Sequence, residues 1–364
     1  MPEYNSKIKE LEDRIANTKY NKKTQHAIGL YKAQIAKLKE KETARSSKKG
    51  ATDGYAVRKT GDGTVVLLGF PSVGKSTLLN GITNADSEVG SYAFTTLKPI
   101  PGLLEYNHAK IQILDMPGIV HGAASGRGRG KEVLACLRTA DLILILLDVN
   151  HPEHYKAIVK EVRETGVRMN ERKPDVKIIK TSKDGIKIGT TVKLKKIDKE
   201  TMTGILREFK INNADIVVRE DIDIDQFIDV IEGNKKYVPS ILVINKIDTV
   251  SKEKLSEIKK KFNPDLCISA GKKEHLDELK DVIFEKLNLI RVYLKEPGED
   301  ADMDVPLIMF KNCTIEDVCE KLHRDFVSKF KFARVWGKSA KFPGQKLMLQ
   351  HNLRDGDVLE LHMN

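Results

Sequence analysis

A glycine-rich octapeptide, GFPSVGKS at residues 69–76, has the residue types and spacing of a phosphate-binding loop. It fits the pattern Gly-x4-Gly-Lys-Ser and lies between an apolar run and a stretch typical of a helix. Its glycines let backbone N–H groups curve around phosphate oxygens, and the helix N-terminus adds positive potential. Lys75 can reach the β- and γ-phosphates, and the Ser76 hydroxyl can bind Mg²⁺. The predicted contacts to a nucleoside polyphosphate come from Gly69, Phe70, Pro71, Ser72, Val73, Gly74, Lys75, Ser76 and Thr77.

Two segments further along the chain supply groups for a metal ion and for the terminal phosphate. In FTTL, Phe94, Thr95 and Thr96 would line the nucleotide, with a hydroxyl for Mg²⁺ and a backbone N–H for the γ-phosphate. In DMPG, Asp115 ends an apolar run with its carboxylate near the metal, and Gly118 can bring its N–H to the γ-phosphate. The predicted metal ligands are Ser76, Thr96 and Asp115, and the predicted catalytic groups are Lys75, Thr96 and Gly118.

The motifs NKID and CISAG have the groups that select guanine. The Asp248 carboxylate can accept hydrogen bonds from the guanine N1–H and exocyclic amine, whereas adenine lacks that amine and its N1 would repel a carboxylate. Asn245 can bridge the base and the loop, Lys246 can lie over the ring, and the Ala270 N–H can donate to the guanine O6. The predicted base-binding residues are Asn245, Lys246, Asp248, Ser269, Ala270 and Gly271.

The residue after Gly118 is Ile119, where Ras-type enzymes carry the glutamine that orients the attacking water. One interpretation is a switch protein that only binds nucleotide. The other is slow hydrolysis, because phosphoryl transfer depends mainly on positioning and charge neutralisation. His121, Arg127 and Arg129 are candidates for the missing water-positioning group or cation, although each is more simply explained without such a role, and the two arginines could equally bind RNA.

Four short apolar runs predict the strands that must position these groups: TVVLLGF, KIQILDM, LILILLDV and SILVINK. Near-continuous apolar strands between helical stretches indicate a parallel sheet that helices cover on both faces. More than ninety residues separate Asp148 from Ser240. One strand–helix–strand crossover takes only about 30, so we expect about 60 inserted residues. Their β-rich segments flank a turn at Asp184-Gly185 and precede a helical stretch, which predicts a small α+β module.

Each end of the chain carries a further predicted module. Ile8, Leu11 and Ile15 begin a helical spacing of apolar residues that predicts an N-terminal helical hairpin, followed by the polar linker ARSSKKGATDG. The tail alternates strand, helix and strand around Asp-Gly turns, with Thr314 as a helix N-cap, which predicts a separate β-rich domain. The predicted boundaries are 1–50 for the hairpin, 63–167 and 236–289 for the nucleotide-binding domain, 168–235 for the insert and 290–364 for the tail.

The net charge of +11 is unevenly distributed along the chain. Residues 1–50 hold thirteen Lys and Arg against six Asp and Glu, and residues 172–199 hold ten against three. Residues 290–364 hold twelve of each sign. The basic blocks favour a polyanion such as RNA as a partner, although an ordinary solvated lysine surface would give the same composition.

The remaining composition indicates a soluble protein of a reducing compartment. The chain is 40% hydrophobic and 32% charged, and none of its apolar runs approaches the roughly 18 residues of a membrane span. The N-terminus has no apolar h-region of a signal peptide. The four cysteines form no CxxC pair, as expected for free thiols in the cytosol. We therefore expect a cytoplasmic monomer with no membrane contact.

The motifs GFPSVGKS, FTTL, DMPG, NKID and SAG together resemble the Obg-related branch of translation-factor-class GTPases. With GIVHGAASGRGRGKEVL, the hairpin, the insert and the tail, essentially the whole chain resembles the developmentally regulated GTP-binding protein family. The resemblance implies a P-loop GTPase fold with helices on both faces of a mostly parallel sheet. It also implies a ribosomal-protein-like insert and a tail that is a TGS domain, a β-grasp module with which members contact RNA or ribosomal complexes.

The resemblance also bears on catalysis, because relatives commonly replace the catalytic glutamine by an apolar residue. Some relatives use a potassium ion held partly by a P-loop asparagine, but this chain has Ser72 there, a poorer ligand. We expect slow Mg²⁺-dependent hydrolysis of GTP to GDP and phosphate, in work on ribosomes or translation, with an activating or stabilising partner protein as a further possibility. The alternative is an RNA- or ribosome-docking scaffold whose nucleotide is structural, and Asp248 disfavours an ATPase.

Overall fold

The computed structural model describes residues 2–47, 61–83, 100–116 and 136–363, which fall into two compact units. The first unit combines Met1–Tyr55 with Glu171–Tyr237, and the second combines Ala56–Asn170 with Val238–Asn364. None of the described helices is long and apolar enough to cross a membrane.

The secondary structure of these described ranges has the following bounds. The helices are α1 (Pro2–Asn17), α2 (Gln25–Ser47), α3 (Lys75–Ile82), α4 (His154–Glu164), α5 (Lys199–Glu208), α6 (Ile224–Glu232), α7 (Lys252–Phe262), α8 (Leu276–Leu287), α9 (Ile315–Leu322) and α10 (Arg324–Lys329). The strands are β1 (Gly63–Leu68), β2 (Ile100–Tyr106), β3 (Ala109–Asp115), β4 (Leu142–Asp148), β5 (Val167–Met169), β6 (Val176–Lys180), β7 (Ile186–Thr190), β8 (Ala214–Val218), β9 (Lys236–Val238), β10 (Ser240–Asn245), β11 (Leu266–Cys267), β12 (Leu289–Lys295), β13 (Leu307–Phe310), β14 (Phe330–Trp336), β15 (Gln345–Leu347) and β16 (Asp357–Met363).

The centre of the second unit is a six-stranded sheet in the order β11-β10-β4-β1-β3-β2. Neighbouring strands from β11 to β3 run parallel, and all four strands predicted from apolar runs are present. Successive residues of β1 contribute to cores on opposite faces: Val65 packs with residues of α3 and α8, and Val66 packs with residues of α4. Burial on both faces explains why β1 and β4 are apolar at nearly every position, and it confirms the predicted fold class.

The edge strand β2 was not predicted from the sequence. It pairs antiparallel with β3 through a two-residue turn at Asn107 and His108, which both have positive φ. Residues of this backbone conformation form the type I′ turn that suits a tight hairpin. Asparagine tolerates positive φ, so the dipeptide Asn-His was the available signal for this turn.

The first unit joins the N-terminal hairpin to the insert through one hydrophobic core. Ala33 of α2 is buried together with residues of α5, α6 and the three-stranded sheet β6-β8-β7. Lys32 lies 2.7 Å from Asp225 and Lys37 lies 3.0 Å from Glu208 in ion pairs between the two segments. The two segments were predicted as separate modules, because no local pattern in either one indicates that they pack together. The Asp184-Gly185 turn is present, but β8 lies between the strands on either side of it.

The tail forms a five-stranded sheet in the order β13-β12-β16-β14-β15, with α9 and α10 packed on one face. The predicted N-cap of α9 is confirmed as a capping box. The Thr314 hydroxyl accepts from the Asp317 N–H at 3.2 Å, and the Asp317 carboxylate accepts from the Thr314 N–H at 2.7 Å. Strand β12 begins directly after α8, so the tail continues the second unit.

Candidate nucleotide-binding site

The glycine-rich loop connects the carboxyl end of β1 to the N-terminus of α3. Gly74 has φ of 96°, and a Cβ added there would lie 2.5 Å from the Asn245 side-chain nitrogen. A Cβ on Gly69 would lie 2.7 Å from the carbonyl oxygen of Leu146. Both positions therefore require glycine, one for conformation and contact and the other for contact. The fold places the loop N–H groups at the helix N-terminus, where an anionic group is favoured.

Lys75 is the first residue of α3, and its ammonium lies against its own loop. Its Nζ donates to the carbonyl oxygens of Gly69 at 3.0 Å and Phe70 at 3.1 Å. Burial lowers the pKa of Lys75, and the nearby charge of Asp115 opposes that shift. The lysine side chain is thus held at the loop, and its expected contact with phosphate oxygens stays a prediction.

Asp115 ends β3 next to this lysine, and it has the properties of a metal ligand. Burial raises the pKa of Asp115, while the charge of Lys75 lowers it. Its Oδ1 is buried and has no hydrogen-bond donor among the described residues. A buried carboxylate oxygen without a partner is costly, and a divalent cation would remove that cost. The oxygen atoms of Asp115 and Ser76 therefore fit Mg²⁺, which prefers oxygen ligands.

Asn245 joins the predicted base-binding segment to the phosphate-binding loop. Its Nδ2 donates to the Val73 carbonyl oxygen at 2.8 Å, and its Oδ1 accepts from the Ala270 N–H at 2.9 Å. Asn245 is 2% exposed, so both hydrogen bonds are shielded from water. The Ala270 N–H is therefore engaged within the protein, and its expected role as donor to the guanine O6 stays a prediction.

Lys246 makes a second connection between the two loops. It has φ of 64°, and its Nζ donates to the Ser72 carbonyl oxygen and to Asp148 Oδ2, each at 2.7 Å. Burial alone would raise the pKa of Asp148, but hydrogen bonds from Lys246 and Asn150 outweigh it and hold the pKa below its usual range. Sequence reasoning assigned no role to Asp148, although a carboxylate at the end of a buried strand was a signal for one.

Asp248, the predicted contact to guanine, is hydrogen-bonded to the CISAG segment. Ser269 Oγ donates to Asp248 Oδ1 at 2.7 Å, and Lys272 Nζ lies 4.0 Å from Oδ2. The hydrogen bond from Ser269, assisted by the charge of Lys272, lowers the pKa of Asp248. The Lys272 N–H in turn donates to Ser269 Oγ at 3.3 Å. Ser269 therefore orients the carboxylate, and Gly271 follows in the same loop.

A histidine that sequence reasoning missed packs on the phosphate-binding loop. The rings of Phe70 and His154 are stacked, with centroids 4.1 Å apart and planes inclined by 23°. His154 is the first residue of α4, the helix that follows β4. The contact therefore joins the phosphate-binding loop, which follows β1, to the helix that follows the neighbouring strand. No local motif identifies such a contact, because 84 residues separate the two rings along the chain.

Several predicted site residues lie outside the described residues. They are Phe94, Thr95, Thr96, Gly118, Ile119, His121, Arg127 and Arg129.

Comparisons with protein families divide the chain into three matched regions. Residues 64–181 match the family described as "50S ribosome-binding GTPase", and residues 183–289 match the "C-terminal region of MMR_HSR1 domain". Residues 290–363 match the TGS domain.

Full-length relatives are similar over nearly the whole chain. An uncharacterized GTP-binding protein of Methanocaldococcus jannaschii is 52% identical over 97% of this chain and 91% of its own length. Developmentally-regulated G-protein 3 of Arabidopsis thaliana is 45% identical over 98% of this chain and 97% of its own length. Among solved structures, the Schizosaccharomyces pombe YchF GTPase has a TM-score of 0.46 at 13% identity, covering 84% of this chain and 99% of that one. A structural likeness of that extent supports no conclusion about function.

Proposed function

Since the chain belongs to the developmentally regulated GTP-binding protein family and binds GTP and GDP, we propose that it is a slow, Mg²⁺-dependent regulatory GTPase that acts on RNA or ribosomes. One observation carries the proposal. The base-binding segment and the phosphate-binding loop form one hydrogen-bonded assembly through Asn245 and Lys246. A nucleotide whose base and phosphates contact these two segments would therefore bind to one connected structure.

The phosphate end of the site contains the groups for charge neutralisation. We propose that Lys75 exchanges its two loop carbonyls for phosphate oxygens, and that the loop N–H groups hold the same phosphates. When bound between Ser76, Asp115 and Thr96, Mg²⁺ would neutralise charge on the β- and γ-phosphates. The Thr96 and Gly118 segments would be ordered by the γ-phosphate and released after hydrolysis.

Slow turnover follows from the side chain at the water-handling position. Ile119 can neither orient nor deprotonate water, whereas positioning and charge neutralisation by Lys75 and the loop amides remain. We propose GTP hydrolysis well below the enzyme median of about 10 s⁻¹. An activating partner would raise the rate by supplying a cation or by positioning water. We expect only modest stimulation by potassium, because Ser72 is a poorer potassium ligand than asparagine.

Docking on RNA or ribosomes is supported by the distribution of basic residues in the first unit. Along β6 and β7, apolar residues face the core, and Lys177 and Lys187 lie exposed between them at alternate positions. Exposed lysines continue after β7 at 193, 195, 196 and 199. Together these exposed lysines could contact several phosphates of a nucleic acid, because such contacts need only exposed cations at suitable spacing. Asp215 of the central strand β8 lies opposite Lys187, so the lysines are not an unbroken cationic surface.

We place the protein in the cytoplasm as a monomer. The four cysteines are all described, buried and unpaired, which suits a reducing compartment. A scaffold whose nucleotide is structural is the competing function, and turnover separates the two.

The decisive experiment measures phosphate release from GTP by the full chain, with and without purified ribosomes, against the variant Lys75→Ala. We expect slow release that needs Mg²⁺, is lost in Lys75→Ala and rises with ribosomes. Asp115→Asn and Ser76→Ala should reduce Mg²⁺-dependent GTP hydrolysis more than they reduce GDP affinity. A parent protein that keeps one nucleotide without releasing phosphate, even with ribosomes, would support the scaffold instead. Thr95→Ala, rather than Thr96→Ala, abolishing hydrolysis would show that the other threonine holds the metal.

A further inference from the structure

The five-stranded sheet of the tail has one face that its own helices do not cover. Alternate residues such as Val292, Ala333 and Leu359 point to the core beneath α9 and α10. The residues between them lie on the opposite face, where the strand register brings Phe332 opposite His362 and Trp336 opposite Val358. At the β13 edge this opposite face is covered, because Leu289 and Ile308 are buried in the core that also contains residues of α8. We call the remainder of the face, on β14, β15, β16 and the end of β12, the open sheet face. Its principal residues are Lys295, Phe332, Arg334, Trp336, Lys346 and His362.

Aromatic rings on the open sheet face are only half-buried. Phe332 and His362 are stacked, with centroids 4.3 Å apart and planes inclined by 19°. Trp336 lies four residues further along β14 and is also half-buried. An extended strand rises about 3.3 Å per residue, so the two β14 rings lie about 13 Å apart on one surface. The spacing leaves the exposed Arg334 between them.

Cations accompany both rings. Lys346 Nζ lies 4.6 Å from the Phe332 ring centroid, and Lys295 Nζ lies 4.8 Å from that of Trp336. Glu360 is the acidic residue among the register positions of this face, and it is 3% exposed. Its Oε1 accepts from His362 Nε2 at 2.6 Å, and Lys295 Nζ lies 3.5 Å from its Oε2. The tail as a whole has equal numbers of acidic and basic residues, whereas the open sheet face has more basic residues than acidic ones.

We propose that the open sheet face binds single-stranded RNA, with bases stacked on Trp336 and on the Phe332–His362 pair. This inference rests on the proposed function of docking on RNA or ribosomes. It adds that the bound RNA is single-stranded and identifies the residues that bind it. Base stacking on half-buried rings needs unpaired bases, which a duplex does not offer. The lysines that lie over the rings would move aside to the backbone phosphates, with Arg334 contacting the phosphates between the two stacked bases. An acidic peptide would use the cations but leave the rings without partners.

The chain provides its own reporter, because Trp336 is its one tryptophan. The experiment titrates the full chain, loaded with GDP, with a 12-nucleotide oligouridylate and follows both tryptophan fluorescence and the anisotropy of labelled RNA. We expect binding that quenches Trp336 and weakens with salt. A 12-base-pair RNA duplex and a polyglutamate peptide should produce little quenching. Quenching by the duplex equal to that by the single strand would overturn the proposal, as would anisotropy binding of oligouridylate without quenching.

Variants separate stacking from general charge. Trp336→Ala should weaken oligouridylate binding by about 5- to 150-fold, since one base–aromatic stack is worth about 1–3 kcal/mol. Trp336→Phe keeps a ring and should retain most of the affinity. Lys346→Glu, at an exposed position, should weaken binding without affecting folding. The matched control is Phe310→Ala, an aromatic residue that is 44% exposed on the same face but on β13, which β12 and β16 separate from β14.

GDP affinity and melting temperature show whether each variant is folded. If Trp336→Ala and Lys346→Glu bind oligouridylate as tightly as the parent, the open sheet face is not the site. Failure here leaves the proposed GTPase intact, because phosphate release from GTP by the parent is measured separately. Absence of ribosome-stimulated turnover, in contrast, would count against the proposed function while single-strand binding by this face could still be observed.

Discussion

The Asn245 side chain donates to the carbonyl oxygen of Val73 at 2.8 Å, and the two residues are 172 positions apart in the chain. Through this hydrogen bond the segment that would bind the base holds the loop that would bind the phosphates. Asn245 also accepts from Ala270, so one buried amide fixes three segments of the site.

We expect Asn245→Ala to weaken GDP and GTP binding by about 5- to 150-fold. The change leaves buried polar groups of Val73 and Ala270 without partners, and we expect it to reduce the free energy of nucleotide binding by about 1–3 kcal/mol in total. Isothermal titration with GDP measures the affinity, and a thermal melt measures the accompanying loss of stability. Asn245→Asp is the matched variant, because it keeps the acceptor for Ala270 and loses the donor to Val73. Unchanged GDP affinity in both variants would show that the amide is not a support of the site.

Asp248 should determine which base is accepted. We expect the parent to bind GTP and to exclude ATP, and Asp248→Asn to weaken GTP binding at least about tenfold, by the cost of an unpaired polar group. The asparagine amide can donate to the extra carbonyl of xanthine, so xanthosine nucleotides should bind the variant better than guanosine nucleotides do. Ser269→Ala should have a smaller effect, because it removes only the hydrogen bond that orients Asp248. Equal affinity of the parent for ATP and GTP would rule out this assignment.

Asp148 should contribute stability that depends on pH. Its pKa is lowered in the folded protein, so its contribution is present above the unfolded value of about 3.9 and is lost as pH falls through the folded value. We expect Asp148→Asn to destabilise the protein by about 1–3 kcal/mol at neutral pH, by loss of the charged hydrogen bond from Lys246.

Urea unfolding from pH 7 to pH 3 tests this expectation. The difference between parent and Asp148→Asn should shrink below about pH 4. Asp277→Asn is the control, because its ion pair with Lys280 involves a side chain that is 89% exposed, and it should shift stability by less than about 0.5 kcal/mol. A difference that persists unchanged at pH 3 would show that Asp148 acts by packing rather than by charge.

Ile119 should contribute little to the intrinsic rate. We expect Ile119→Ala to retain much of the slow GTP hydrolysis, because an apolar side chain does not handle the attacking water. Lys75→Ala should lose most of the phosphate affinity and the activity. Single-turnover phosphate release compares the two variants in sodium and in potassium, where we expect only modest stimulation by potassium. A collapse of Ile119→Ala to the level of Lys75→Ala would indicate that Ile119 shapes the switch segment.

Lys177 and Lys187, the exposed lysines of β6 and β7 in the first unit, should bind ribosomes or RNA through phosphate contacts. We expect the double variant Lys177→Gln, Lys187→Gln to weaken co-sedimentation with ribosomes and to reduce the slope of log affinity against log salt by about 1.4, from about 0.7 for each lost contact. GDP affinity should not change. The control removes two exposed lysines of the second unit, Lys156→Gln and Lys260→Gln.

Binding that is absent at low salt in both GDP and a non-hydrolysable GTP analogue would count against ribosome docking. Removal of residues 1–50 would be a poor test of the same idea. The hairpin shares a buried core with the insert, so its loss would expose Ile205, Phe227 and their neighbours. Removal of residues 290–364 would be a poor test for the same reason, because Ile308 of the tail is buried in the core of the nucleotide-binding domain.

The sequence by itself determined the chemistry of the nucleotide site and the class of fold. Phosphate binding needs glycines, a lysine and a hydroxyl at fixed spacing within one short segment, so GFPSVGKS is informative without any tertiary contact. Strands buried on both faces are apolar at consecutive positions, so β1, β4 and β10 were also visible as runs of sequence. The capping box at Thr314 is local for the same reason.

The tertiary structure alone decided which distant segments became neighbours. Asn245 and Val73, Phe70 and His154, and the hairpin and the insert each come together across long stretches of chain, where no local pattern specifies the partner. The open sheet face illustrates the physical reason. Alternation along β14 puts Phe332, Arg334 and Trp336 on one side, but only strand pairing decides that His362, Lys346 and Lys295 join them.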